Sequence, residues 1–494
     1  MKQFIVLTLI IVAFASACRA DDSVAELVKM FKDPKQSAEV LAGLRATDDK
    51  DLGPFFIALS AGSDKDLRLF ATSALVDLAG KQAAAAPLAQ RLAKDDSMPV
   101  RVEALLALSA SQNMDRQQLQ DAMSTPDQSL QIIAARTAIQ LKMPDLAVPT
   151  LQKLTGAKDT ATAGMARMSL LGQGDSSMLP PLREMFKDTA TPPDVLTILL
   201  DQIVEEKIAA AGDLAQSIAQ SDQPWQLRLR AYRAMAAVSP QGAKVLYDAI
   251  LANAAGGTPF QVHLLRELAG RNDSGAYVEK LKGGEGPLAL MARFELARPA
   301  GGADAASALA AAMQAGHPVV ADYILSRAEN DFSAADKGDS RGRCDFYVST
   351  LLAVIESVKD DPQEIKPQHV RATKAATLLA DYGSPAAMAG LANTLSGNYR
   401  PAMRMAAAGL LKSKNTAAAD LLRPHLQSPY EEMSTNAALV LGRQGDAQAA
   451  ARLKDITDHS DKHAKLLVVL AHWYQIKIQG RGAQAAAALA KEVN

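Results

Sequence analysis

The sequence predicts an all-α fold, a solenoid of about a dozen stacked helix pairs, and three features predict it. A signature recurs every thirty-odd residues: Arg68, Ala71, Ala74 and Leu75, then Arg101, Ala104, Ala107 and Leu108, then Arg228, Ala231, Ala234 and Met235, then Arg404, Ala407, Leu410 and Leu411. A fixed period of this size marks a repeat array, because no single helix pair can bury its own apolar face. Within each unit the apolar and small residues fall at i, i+3, i+4 and i+7, the spacing of one buried helix face. Between helices, Leu171-Gly172-Gln173-Gly174-Asp175 and Leu441-Gly442-Arg443-Gln444-Gly445-Asp446 end one helix on glycine and supply aspartate for the next.

The chain opens on a targeting segment. Lys2 precedes an apolar run from Phe4 to Phe14, too short for a bilayer crossing of roughly 20 residues. Ala15-Ser16-Ala17 then forms a small-residue cleavage site, so residues 1–17 read as a signal peptide and the mature chain as exported. Cys18 follows at once. The stretch Phe14 to Cys18 resembles a bacterial lipobox, with Ala15 where that pattern usually has Leu. The resemblance implies a lipid anchor at Cys18, a periplasmic or envelope location, and contact with membrane only through that anchor.

Ser23-Val24-Ala25-Glu26 reads as a capping box that starts a first helix running to about Arg45. The column that starts at Arg68 continues through Arg101, Gln131, Ala163, Val195, Arg228, Gln261, Ala289 and Val320, and resumes at Arg371, Arg404, Ser434 and Lys465. Pro87, Pro149 and Pro181 are expected in the first turns of the opposite helices, where a missing amide costs nothing. The long step from Val320 to Arg371 places an inserted loop at 329–343. The chain therefore divides into a tether at 18–22, an N-terminal array at 23–328, the loop, a C-terminal array at 344–480 and a capping helix at 481–494.

Asp66-Leu67-Arg68-Leu69-Phe70-Ala71, Pro99-Val100-Arg101-Val102-Glu103-Ala104, and Ala437 to Gly442 with Gly445-Asp446 resemble HEAT repeats, armadillo-like helical units of the bacterial kind also found in phycobilisome-lyase-like proteins. The resemblance spans about residues 50 to 480. It implies a right-handed α-α superhelix with the second helix of each pair lining the concave face. It also implies that the column arginines bond backbone or an aspartate of the adjacent turn, for which Asp64, Asp95 and Asp222 are placed.

Chemistry is sparse. Two cysteines in 494 residues, Cys18 and Cys344, leave no internal disulfide to form in a mature chain, so packing must supply stability. A net charge of −1 is not the footprint of a nucleic-acid binder. No GxSxG, HExxH, P-loop, CxxC or dinucleotide fingerprint occurs, so no catalytic residue, metal or cofactor is assigned. His459 and His463, four apart, read as loop histidines, and Gly283 to Gly286 as a loop. Arg230, Arg233, His263, Arg266 and Arg271 fall in matching columns of neighbouring units and form the candidate partner-binding patch, suited to a protein with an acidic surface. Asp336, Asp339, Arg341, Arg343 and Cys344 are the candidates from the inserted loop. The expected function is a protein-binding scaffold at the cell envelope. The alternatives are a lyase-like or other enzymatic subunit using the loop and the basic patch, and an envelope-ligand binder.

Overall fold

The computed structural model describes residues 22–111, 114–252, 259–314, 318–335, 341–359, 366–397, 400–413 and 415–493. Residues 1–17, expected to be a signal peptide, and Cys18, Asp336 and Asp339 lie outside them. Among the described residues the regular structure is helical throughout, and the α-solenoid expected from the period is present as successive helix pairs. The chain forms two compact units, residues 115–350 and residues 1–114 with 351–494.

In the unit 115–350 the column residues lie on the second helices of the pairs. Gln128–Gln140, Thr160–Gly172, Pro193–Glu206, Trp225–Val238, Pro259–Ala269 and Pro287–Ala297 stack in chain order. Aspartates start two of them: Asp127 accepts from the Leu130 amide and Asp159 from the Thr162 amide. Met168, Leu182, Leu199, Leu200, Ile203, Leu214 and Ile218 share one buried cluster that crosses several pairs. Each such side chain contributes about 1.5–3 kcal/mol by leaving water.

The other unit stacks out of chain order. Its second helices run Pro367–Tyr382, Arg400–Lys412, Glu431–Arg443 and Lys465–Ile478. Next against Lys465–Ile478 comes Ser37–Ala46, from the other end of the chain, then Lys65–Ala79 and Met98–Ala110. Arg45 carries the stack onward, its guanidinium 5.2 Å from the Phe70 ring centroid and its Nη1 donating to Ser73 Oγ at 3.1 Å. The junction is tightly fitted. Trp473 is fully buried and donates from Nε1 to Asp49 Oδ2 at 3.1 Å; Lys477 Nζ donates to the same oxygen at 2.8 Å. Ser23 Oγ donates to Gln475 Oε1 at 2.9 Å. Gly43 permits the close approach, since a Cβ there would lie 2.7 Å from Val469 Cγ1.

Several expectations change. The first helix does not run to Arg45: it spans 22–32 and a second helix begins at Ser37. Pro34 lacks an amide, and the Asp33 carboxylate instead accepts from the Lys35 amide. Ser23 is buried against Gln475 rather than capping that helix. Pro181 does lie in a first turn, but Pro87 and Pro149 sit inside Lys81–Lys94 and Pro144–Leu154. The alanine run before Pro87 extends its helix backward past the proline, because alanine has the highest helix propensity. Residues 329–335 are not loop: the helix Pro318–Ala335 runs through them, and Arg341–Tyr347 is a 3-10 helix. The helix Gly482–Lys491 is packed against Gly53–Leu59, so it is an internal layer of the stack rather than an outer cap.

Candidate partner-binding surface

The column arginines are struts. Arg68 is buried, with Nε 2.9 Å from Asp95 Oδ2, Nη2 3.0 Å from Asp95 Oδ1 and Nη1 2.8 Å from the Ser63 carbonyl. Burial pushes the Asp95 carboxyl up, but the Arg68 guanidinium outweighs it and holds the group below the ordinary carboxylate value. Arg101 Nε donates to the Leu92 carbonyl at 2.8 Å, and Arg228 Nε to the Ala219 carbonyl at 3.2 Å. Arg404 reaches Glu432 at the surface. Asp64 serves as an N-cap, its carboxylate accepting from the Asp66 and Leu67 amides.

The basic patch divides into spent and available charge. Arg230 is paired with Asp201, one repeat earlier, and Arg233 Nε lies 3.1 Å from Glu267 Oε1. Arg271 is a strut: Nη1 donates to the Ala236 carbonyl at 2.8 Å and Nε to Asp273 at 2.9 Å. Arg266 has no acidic partner among the described residues, and it stands one helical turn from His263 on Pro259–Ala269. His263 is exposed and stacks on Trp225, ring centroids 6.0 Å apart and planes 22° apart. Burial, then the Arg266 guanidinium, lowers the His263 pKa, which keeps the ring neutral at pH 7. Phe260 lies beneath, its centroid 6.4 Å from that of Trp225 and 5.5 Å from the Arg228 guanidinium carbon. Trp225 remains 38% exposed.

Sequence reasoning missed Trp225. The signal was available: it stands three residues before Arg228, where the other Arg-bearing units have Lys65, Met98, Gln368 and Pro401.

The loop candidates do not assemble a site. Arg343 is exposed, and Arg341 contributes backbone to the 3-10 helix. Cys344 is buried, and burial, reinforced by Asp331, pushes its thiol up to about 11, so it is protonated and unreactive at pH 7. Beside it lies a polar network that sequence reasoning also missed. Tyr323 Oη and Arg327 Nε each donate to Glu295 Oε1 at 2.6 Å. Arg298 spans Glu295 and Asp331, and Tyr347 Oη donates to Asp331 Oδ2 at 2.8 Å. Every ion here has its counter-ion, so the network fixes helix positions rather than offering a reactive group.

His459 and His463 do not converge: one contacts Asp455, and the other approaches Glu431 at 3.8 Å. No group of three or more metal-ligating side chains occurs among the described residues. Gly283 to Gly286 is a loop, with Gly286 in the left-handed region at φ 81° before Pro287. A cleft of about 940 Å³ lies between the helices 22–32, Ala450–Asp458 and Lys465–Ile478, lined by Glu26, Asp458, His472 and Gln475. Burial pushes His472 down to about 4, leaving a neutral imidazole. Among the described residues its buried Nδ1 has no hydrogen-bond partner.

Fold and surface together define a HEAT-like helix-pair solenoid with a partly exposed aromatic and basic patch on its second helices. No family model and no curated protein matches the chain, and the narrower phycobilisome-lyase type finds no matching model. Solved structures it is similar to include the karyopherin Kap121p bound to Nup53p, at 14% identity over 96% of this chain with a TM-score of 0.32. Kap95p with RanGDP gives 12% identity, 86% coverage of this chain and 0.33, and an engineered protein gives 16%, 89% and 0.24. The chain spans about half the length of the karyopherins, 54% of each.

Proposed function

We propose that the protein is a binding scaffold that docks partner proteins on its second-helix layer. One observation carries this. Among the described residues seven large hydrophobic side chains are prominently exposed; Leu106, Ile198, Trp225, Val370 and Leu466 lie on second helices, and Tyr430 on the residue that starts one. Of these seven, Leu251 lies on a first helix. Taken unit by unit, exposed apolar groups concentrated on the second helices are what a docking face requires. Arg266, with no acidic partner among the described residues, gives the second helices of the unit 115–350 a preference for acidic partners.

The reading extends to an exported, envelope-associated chain lipidated at Cys18, supported by the leader pattern. Metabolic lipid labelling tests it: wild type carries label and Cys18→Ser does not, whereas an unlabelled wild type refutes the anchor. For the scaffold, capture from envelope extract is compared among wild type, the triple variant Ile198→Ser, Trp225→Ser, Leu466→Ser, and Leu251→Ser. Loss of specific partners in the triple variant alone supports the reading. Equal capture by all three contradicts it.

A further inference from the structure

We infer that Trp225, His263 and Arg266 form one anchoring site for an extended segment of a partner protein that carries an aromatic residue two positions from a carboxylate. The inference rests on the scaffold reading and adds the chemistry of the contact. Trp225 is one of only two tryptophans in the chain; the other, Trp473, is sealed in the core. A tryptophan left 38% exposed and held flat against an imidazole is a rigid platform that loses little side-chain entropy on binding. Its position is fixed from below, because Phe260 supports the Trp225 ring and Tyr232 packs on Phe260 with centroids 6.1 Å apart. Trp and Arg are also the side chains that most often dominate binding energy at interfaces.

The charge is selective for the same reason. Asp201 and Glu267 neutralise Arg230 and Arg233, so Arg266 supplies the local positive charge that no described acid offsets. His263 is neutral and offers its ring face and a nitrogen rather than a charge. The spacing of the two halves follows from helix geometry. His263 and Arg266 are three apart on Pro259–Ala269, which puts their Cβ atoms roughly 5–6 Å apart. An extended strand advances about 3.3 Å per residue with alternate side chains on one face, so residues two apart match that separation. A ring on Trp225–His263 therefore sets a carboxylate on Arg266 when their positions along the segment are two apart.

The test uses the full chain and fluorescein-labelled probe peptides read by anisotropy. The first carries Phe and Glu two apart in a Gly-Ser background. The second replaces its Phe with Ala, and the third its Glu with Gln. The first probe is expected to bind, and each altered probe to bind about tenfold more weakly, the loss of one good contact. Trp225→Ala and Arg266→Gln should each weaken the first probe by a similar factor, with melting temperatures near wild type, while Arg230→Gln should not. Absence of saturable binding by the first probe at millimolar concentration overturns the site, as does binding indifferent to Trp225→Ala and Arg266→Gln. If the site falls while the triple variant still loses partners in the capture comparison, the scaffold stands without this anchor. If capture is also indifferent, the scaffold reading falls with it.

Discussion

Replacing Asp49 with Ala should destabilise the unit that contains both 22–111 and 351–493, and the size of the loss follows from three contacts. The Trp473 indole N–H is fully buried, so losing its acceptor at 3.1 Å leaves an orphaned donor, at about 1–3 kcal/mol. The Asp49 side chain also caps the short helix Lys50–Leu52 by accepting from the Asp51 amide, worth about 1 kcal/mol. The Lys477 ion pair adds less than its 2.8 Å length suggests, because a third of the lysine side chain meets solvent. The total is about 3 kcal/mol. Asp49→Asn should lose roughly a third of that, because an amide oxygen still accepts from the indole. Urea unfolding followed by circular dichroism measures both. A loss below about 0.5 kcal/mol for Asp49→Ala would show that the junction is not part of the cooperative structure, and the out-of-order stack would be refuted.

Three further outcomes are expected. His472 should make stability acid-sensitive: its folded pKa of about 4 lies below the ordinary 6.5, so between those values the unfolded chain binds the proton first. Stability contributed by the neutral ring is whole above pH 6.5 and declines as pH falls toward 4, by on the order of 3 kcal/mol; His472→Gln should flatten that part of the urea-midpoint profile. Arg271→Ala should cost on the order of 1 kcal/mol through the lost Ala236 carbonyl bond, whereas Arg233→Ala, a half-exposed pair, should cost within about 0.5 kcal/mol in the same assay. In a Cys18→Ser background, Cys344 should react with a thiol-specific disulfide reagent only after urea unfolding, since the thiol is buried and pushed up to about 11; rapid labelling of the folded protein would contradict its placement.

The helix pairs were legible because each repeat writes the same face into the chain: Ala71, Ala74 and Leu75 are buried as their period requires, and so are Ala104 and Leu108. The junction was not legible. Asp49 and Trp473 are more than 400 residues apart, and neither belongs to a repeating pattern that names the other. The long step after Val320 concealed an extended helix, because a polar stripe of Tyr323, Arg327 and Asp331 at four-residue spacing reads as solvent-facing until Glu295 and Tyr347 are seen to enclose it. The basic patch was found by column, but the pairing of Arg230 with Asp201 was overlooked. Asp201 precedes Arg230 by 29 residues, close to one period, so that pairing could have been read from the sequence. Trp225 escaped because attention to charge passed over the one exposed aromatic beside it.

Site-specific photo-crosslinking tests the docking face most directly. A photoreactive residue is placed in turn at Trp225, Ile198 and Leu466 on second helices, and at Leu251 and Lys244 on a first helix, all in the full-length protein. Discrete, reproducible partner adducts from the second-helix positions, with none from Leu251 or Lys244, are the predicted result. Adducts that form equally from both layers, or only from the first helix, would contradict a scaffold that binds through its second helices.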